Sequence, residues 1–275
     1  MIAHGGRDNV TDTSPASDFY DRVYRERRTA DFRTPSEHFA YQELSQFIEA
    51  FDLRTQKCLE VGCGRGEFQD LVEDYTGVDL SRSAARCLRK PFVPSDAARL
   101  PFEDRRFDAV WSIAVLEHLP EPDVALMEMR RVLRPGGLLF LKVAWHCRPW
   151  ICEGIPVRSY ADLSLRQRWI KATLPVRECW PVRAAEYGCR RILRLLSAMV
   201  RPSPWSLSFQ RLPASYERFW MADSDAVVSL DSFDVIMWFR SRRDKVLSHP
   251  SLDAALVSRS EPLVVRVGER RSRAT

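Results

Sequence analysis

"KCLEVGCGRGEF", Lys57–Phe68, is the stretch that decides the fold. A short apolar run carries an acid, Glu60, and then Gly62, Gly64 and Gly66 fall at every second position. Glycines so spaced let the backbone turn tightly and approach a ligand with no side chain between. The pattern predicts a strand entering a ligand loop, then a short helix over "GEFQDLVEDY" whose N-terminus offers free N–H groups. Counted from Gly62, the third small residue of a dinucleotide fingerprint falls at Glu67, where a carboxylate is unwelcome beside a pyrophosphate. No Gly-Lys-Ser/Thr follows, so a P-loop is excluded. Asp79 ends the next apolar run, where a carboxylate can accept from both hydroxyls of a ribose. Glu60 suits a cation. Together they point to a nucleoside that carries positive charge and no phosphate.

Outward from the loop, strands and helices alternate. "TGVDLS" is predicted as a second strand, "RSAARCLRK" as helix, "PFVPSDAARLPF" as strand and loop, and Phe107 to Val115 as a buried strand. "PDVALMEMRRVLRPGG" is predicted as a helix with Val124, Met127, Val132 and Leu133 on one face, stopped by Pro135-Gly136-Gly137. "LLFLKVAW" is the next strand. Such alternation predicts a doubly wound α/β domain with a parallel sheet. Residues 18–50 are predicted helical, with a break at Pro35, and residues 1–17 a flexible tail. After Trp145 the alternation stops, and it resumes at residue 229 with a helix and the last two strands. The expected division is therefore a core over 18–145, an inserted, mostly helical cap over 146–228, and a return to the core over 229–275 with a basic tail.

The ordered set "LEVGCGRGEF", "GVDLS" and "PSDAARLPFEDRRFDAVWSIAVLEHLPEPDVALMEMRRVLRPGGLLFLKV" resembles the class I S-adenosylmethionine-dependent methyltransferases. The branch it most resembles is the small-molecule one, of methyltransferase type 11. The resemblance covers about residues 55–145 well and 229–268 weakly. It implies a Rossmann-like, seven-stranded methyltransferase sheet and S-adenosyl-L-methionine as cofactor. Carried over residue by residue, Glu60, Gly62, Cys63 and Gly64 line the methionine moiety and Asp79 binds the ribose hydroxyls. Leu80 packs beside the adenine, Asp96 accepts from its amino group, and Ala97 offers its backbone N–H. Ser112 and Ile113 flank the sulfonium. Family members often hold an acid–His pair near the acceptor, which places Glu117 and His118. Many close the site with an N-terminal helix, so Phe19, Tyr20 and Tyr24 are lid candidates. Plainer roles stand beside these. Asp79 also suits a helix cap with Ser81, Asp96 a turn, His118 a helix end, and Phe19 and Tyr20 ordinary packing.

For a hydroxyl acceptor the site must remove a proton. His118 and His146 are the candidate catalytic bases, with Asp223 and Asp225 more remote. His146 follows the fifth strand, where ligands bind in open α/β sheets, although an exposed loop histidine is the plainer reading. The 275-residue chain is 45% hydrophobic with a net charge of +5, too modest to announce nucleic-acid binding. No Asp/Asn-Pro-Pro-Tyr follows the fourth strand and no Pro-Cys pair exists for cytosine chemistry, so nucleic acid is disfavoured. The seven cysteines include no C-x-x-C pair, which suits free thiols and no metal site. No apolar signal core opens the chain, and a cytoplasmic protein is expected.

The basic character lies in 146–228, where twelve arginines and one lysine oppose seven acids, a net of +6, alongside five of the eight tryptophans. "VRAAEYGCRRILRLLSAMVR" reads as a basic amphipathic helix, with Arg183, Arg190, Arg194 and Arg201 on one face and Leu195, Leu196 and Met199 opposite. It packs its apolar face on the core under a solvated Arg face, or it holds an acidic or lipid-linked acceptor at a membrane surface. The expected activity is methylation, on oxygen, of a small-molecule, glycan or glycolipid-type acceptor. A non-catalytic protein of the same fold that binds an acidic partner, and an RNA methyltransferase, are the alternatives.

Overall fold

The computed structural model describes residues 15–25, 34–200 and 205–268. Most of the 1–17 tail, Phe32 and the basic C-terminal tail lie outside the described residues. Two helices come first, α1 (Pro15–Arg25) and α2 (Tyr41–Ala50). Then follow β1 (Lys57–Val61), β2 (Asp74–Asp79), β3 (Phe92–Pro94), β4 (Phe107–Ile113), α3 (Pro122–Val132) and β5 (Leu133–Lys142). Beyond these lie α4 (Pro149–Cys152), α5 (Leu165–Arg177), α6 (Trp180–Val200) and β6 (Phe209–Arg211). The chain closes with β7 (Val228–Leu230), α7 (Ser232–Ser241), β8 (Lys245–Val246), α8 (Leu252–Val257) and β9 (Leu263–Arg266).

Seven strands form one sheet in the order β3-β2-β1-β4-β5-β9-β8. β3, β2, β1, β4 and β5 pair in parallel, and β9 runs antiparallel to both β5 and β8. This is the expected doubly wound α/β sheet. β6 and β7 make a separate two-stranded ribbon. Side chains alternate across the sheet. Leu59 and Val61 of β1 pack with Leu126 and Met129 of α3 and with Phe233 and Ile236 of α7. Cys58, on the other face, packs with Leu44, Phe47 and Ile48 of α2. Both faces are covered, which is why the central strands are apolar throughout.

Two sequence expectations need correction. The connections after β1 and β2 are 3-10 turns, Gln69–Leu71 and Arg82–Arg86, and no α-helix starts at the glycine loop. The linking chain is short, and the buried Gln69 ties it down. Its Nε2 donates to Gly66 O (2.9 Å), and its Oε1 accepts from Arg89 N (2.7 Å). A side chain spent on local backbone groups competes with helix propagation. On α3, Val124 and Met127 are exposed, whereas Ala125, Leu126, Met129 and Val132 are buried. Leu133 already belongs to β5.

The strand order reverses between β1 and β4, and ligands of open α/β sheets bind outside the strand ends at that point. Gly62, Asp79, Ala114 and Val143 lie at or just past those ends.

Candidate active site

The glycine loop follows β1 with positive φ at Gly62 (+77°), Gly64 (+49°) and Gly66 (+74°). A Cβ on Gly62 would stand 2.1 Å from Val115 Cγ2, so the loop passes the β4 exit at contact distance. A Cβ on Gly64 would stand 3.5 Å from the Tyr24 hydroxyl.

Two buried carboxylates frame the loop. Glu60 accepts from the Tyr75 hydroxyl, and burial pushes its pKa up to about 8. Asp79 Oδ1 accepts from Ser81 N (2.8 Å), and Oδ2 accepts from Gly64 N (2.9 Å) and the Tyr24 hydroxyl (3.5 Å). Burial raises its pKa to about 6. No cation pairs with either carboxylate among the described residues. Asp79 thus anchors its own turn and also presents an oxygen to a hydroxyl.

Other candidates are placed as follows. Cys63 is buried, and burial drives its thiol upward. Leu80 is partly exposed. Asp96 is exposed and accepts from Ala98 N (2.8 Å), a turn-forming bond, while Ala97 is buried. The buried Ser112 hydroxyl donates to Val61 O (2.9 Å), so its proton is spent within the fold. Ile113 is buried among the aromatic side chains near α2.

A second group forms where β4 ends in the 3-10 turn Leu116–His118. His118 Nδ1 lies 3.3 Å from Asp225 Oδ2, and Nε2 lies 4.0 Å from Glu117 Oε1. Burial opposes a charged ring, but Glu117 and Asp225 outweigh it and His118 has a raised pKa. Glu117 is fully buried and acts as scaffold. Its carbonyl accepts from Val227 N (2.8 Å) and its Oε1 from Ala144 N (3.1 Å). Glu117, His118 and Asp223 bring one ligand atom each within 4.8 Å of one another. Ligands bonded at about 2.1 Å around one ion stand roughly 3.5 Å apart, so this trio would have to contract to hold a metal.

His146 stands apart from this group. Its ring stacks on Tyr187 of α6 (3.8 Å), and Nε2 lies 3.8 Å from Asp231 Oδ1. It is not an exposed loop histidine. Burial, aided by Arg191, Arg148 and Arg183, lowers its pKa to about 4, so the ring is neutral.

α1 bridges the carboxylate loop and the histidine. The Tyr20 hydroxyl donates to Asp225 Oδ2 (2.8 Å), one helical turn before Tyr24 meets Asp79. Residues four apart share a helix face. Asp21, which the sequence reading passed over, accepts from the Ser81 hydroxyl and from Ser83 N (3.2 Å). Phe19 packs on Tyr216, and Arg22 donates to Tyr216 O (3.2 Å). The signal available was "FYDRVYR", two tyrosines at i, i+4 with an acid between.

A family described as a methyltransferase domain matches residues 59–141, the stretch from β1 to β5 that carries the loop, Asp79, Asp96 and His118. That stretch is a methyltransferase domain of the class I S-adenosylmethionine-dependent kind. The chain is 38% identical over 99 residues to a fatty-acid O-methyltransferase of Mycolicibacterium smegmatis, covering 31% of this chain and 36% of that one. It is also 38% identical over 139 residues to phthiotriol/phenolphthiotriol dimycocerosates methyltransferase 1 of Mycobacterium ulcerans, covering 44% and 49%. The chain thus spans less than half the length of these class I relatives. A solved structure, the Burkholderia thailandensis 1,6-didemethyltoxoflavin-N1-methyltransferase, superposes at a TM-score of 0.41 and 21% identity, covering 54% of this chain and 69% of that one.

The residues fit the family's cofactor, S-adenosylmethionine. Asp79 already takes a hydroxyl hydrogen bond of the kind a ribose would donate, and Glu60 is a buried acid with no cation beside it.

Proposed function

We propose that this chain transfers the methyl group of S-adenosylmethionine to a hydroxyl oxygen of a small-molecule, glycan or lipid-type acceptor. The observation that supports this reading is the α1 bridge, which sets the Asp79–Gly64 loop and the His118–Asp225 pair under a single helix. Glu60, Gly62, Cys63, Gly64, Asp79, Leu80, Asp96, Ala97 and the backbone of Ser112 and Ile113 would hold the cofactor. The cofactor supplies an electrophilic methyl on a positively charged sulfur.

The chain's own part is to orient the acceptor, exclude water and take a proton. Nδ1 makes no hydrogen bond, but the charge of Asp225 3.3 Å away would favour a proton there and leave Nε2 as the base. The acceptor hydroxyl gives its proton to His118 Nε2 as its oxygen becomes the nucleophile. The imidazolium so formed is stabilised by Asp225 and Glu117. Tyr20 and Tyr24 close the side toward solvent. Oxygen acceptors agree with the name of the Mycolicibacterium relative, a fatty-acid O-methyltransferase. A carboxylate acceptor would need no base, and the difference supplies the test.

Purified protein is assayed with labelled S-adenosylmethionine against a fatty acid, a hydroxylated glycolipid and a phenol. His118→Ala lowers hydroxyl methylation by about 10²–10⁴-fold while S-adenosylhomocysteine still raises the melting temperature. Wild-type turnover of a hydroxyl acceptor by that variant removes His118 as base. Failure of S-adenosylhomocysteine to stabilise the wild type removes the whole reading.

A further inference from the structure

α6 is mounted inside out. Toward the protein it turns two cations, Arg191 and Arg194, beside Tyr187, Leu195 and Ala198. Arg191 is buried, with Nη2 2.6 Å from Asp231 Oδ1 and Nη1 donating to Leu256 O. Arg194 Nη2 is 2.9 Å from Asp234 Oδ1, and Trp205 Nε1 donates to the same oxygen (3.0 Å). A larger set of apolar side chains points the other way. Val182, Ile192, Leu193, Leu196 and Met199 are exposed, Leu193 to 65% and Met199 to 80%. These positions, with exposed Cys189 among them, recur at helical spacing and make one outward stripe.

α5 packs beside α6 and buries Ile170 and, in part, Leu174, but it too exposes apolar side chains. Leu165, Trp169 and Val176 are exposed at spacings of four and seven, and Trp180 at the head of α6 is 74% exposed. Apolar surface of this extent marks an interaction site. Its charge says which kind. The acids of the two helices, Glu178 and Glu186, are taken up by Arg148 and Arg183. Arg166 and Arg168 flank the stripe on α5 and Arg190 flanks it on α6. All three are exposed, and no acid pairs with them among the described residues. Against a second copy of this chain the surface would set like charge on like. An anionic lipid surface offers opposite charge and an acyl phase together.

We propose that the outward faces of α5 and α6 dock on an anionic phospholipid bilayer. No helix among the described residues is long and apolar enough to cross a membrane, so the pair lies in the interface with its apolar stripe toward the acyl chains. Trp169 and Trp180 are the ring type that settles at headgroup level. The inference goes beyond the methyl-transfer reading and does not rest on it.

The test is co-sedimentation with phosphatidylcholine vesicles, with and without about three-tenths phosphatidylglycerol. The wild type pellets with the mixed vesicles, at least about tenfold more weakly with phosphatidylcholine alone, and less as salt rises through about 0.1–1 M. Leu193→Ser/Leu196→Ser/Met199→Ser abolishes pelleting. Arg166→Gln/Arg190→Gln weakens it roughly thirtyfold, about fivefold per arginine. These residues are exposed, and an unchanged melting temperature checks that each variant is folded. Absence of binding to mixed vesicles overturns the proposal, as does equal binding to both compositions or undiminished binding by the triple variant. A dimer in light scattering that the triple variant splits, without vesicle binding, assigns the face to a second copy instead.

Discussion

Glu60 and Asp79 are buried carboxylates with no cation against them, whereas Arg191 and Arg194, covered by the same fold, each meet a carboxylate of α7. Desolvation alone would neutralise an unpaired acid, and the raised pKa values of Glu60 and Asp79 record that cost. A chain that keeps such groups in its interior keeps them for something that arrives. The paired arginines are complete without a visitor. On the proposed reading, buried acid left open belongs to the ligand site, and buried charge closed on itself is architecture.

The largest effect that could break this contrast belongs to the closed pair. Arg191→Leu leaves Asp231 buried without its partner and costs about 3–5 kcal/mol. That lowers the melting temperature by roughly 10 °C in calorimetry. If the variant melts like the wild type, the pair is not architectural. The open group behaves oppositely. Asp79→Ala weakens S-adenosylhomocysteine by at least about a hundredfold, since hydrogen bonds to a charged group are the stronger kind. Its melting temperature falls less than that of Arg191→Leu, because only the hydrogen bonds from Ser81 N, Gly64 N and the Tyr24 hydroxyl are lost. Calorimetric titration showing unchanged affinity would sink the ribose assignment.

His146 sharpens the comparison through pH. Its pKa is lowered to about 4 in the folded chain against about 6.5 unfolded. Below pH 6.5 the unfolded chain takes up a proton that the folded one refuses until about pH 4. Stability attributable to this ring therefore falls across that window as pH drops, by roughly 3 kcal/mol. Asp79, raised to about 6, has the opposite sign, its contribution being present at low pH and lost as pH rises through 6. Denaturant melts of His146→Gln should show a flatter acid limb than wild type, and parallel limbs would contradict the assignment.

At the acceptor side the effects are smaller. Hydroxyl methylation rises with pH as His118, its pKa raised by Glu117 and Asp225 against burial, loses its proton. Asp225→Asn moves that limb to lower pH and slows turnover by at least about tenfold. A limb that stays in place would leave Asp225 no part in holding the ring. Smallest is Tyr24→Phe. Removing the hydroxyl that occupies Asp79 tightens S-adenosylhomocysteine about two- to fivefold, the worth of one modest hydrogen bond. Weaker binding would mean that Tyr24 helps to hold the cofactor.

Local chemistry made part of this legible in advance. A strand that ends in glycines at positive φ and an acid closing the next strand are readable from spacing, since each depends on neighbouring residues. The parallel sheet followed from alternating periods. The missing helix after the loop was not readable, because the buried Gln69 takes its partners from Gly66 and Arg89, one of them beyond the next strand. The face of α3 was misjudged, and that of α6 left open, for a related reason. A helical wheel separates Arg from Leu but does not say which side meets the core.

By itself, then, the sequence determined the alternating strands, the glycine loop after Glu60, Asp79 closing β2 and His118 following β4. Only the tertiary structure decided that Tyr20 meets Asp225 across 205 residues, that His146 turns to α6 rather than to His118, and that α6 shows Leu193 and Leu196 outward. The reason is that each depends on a partner far along the chain. Asp231 and Asp234 on α7 make burial of Arg191 and Arg194 favourable, and no pattern within α6 contains those carboxylates.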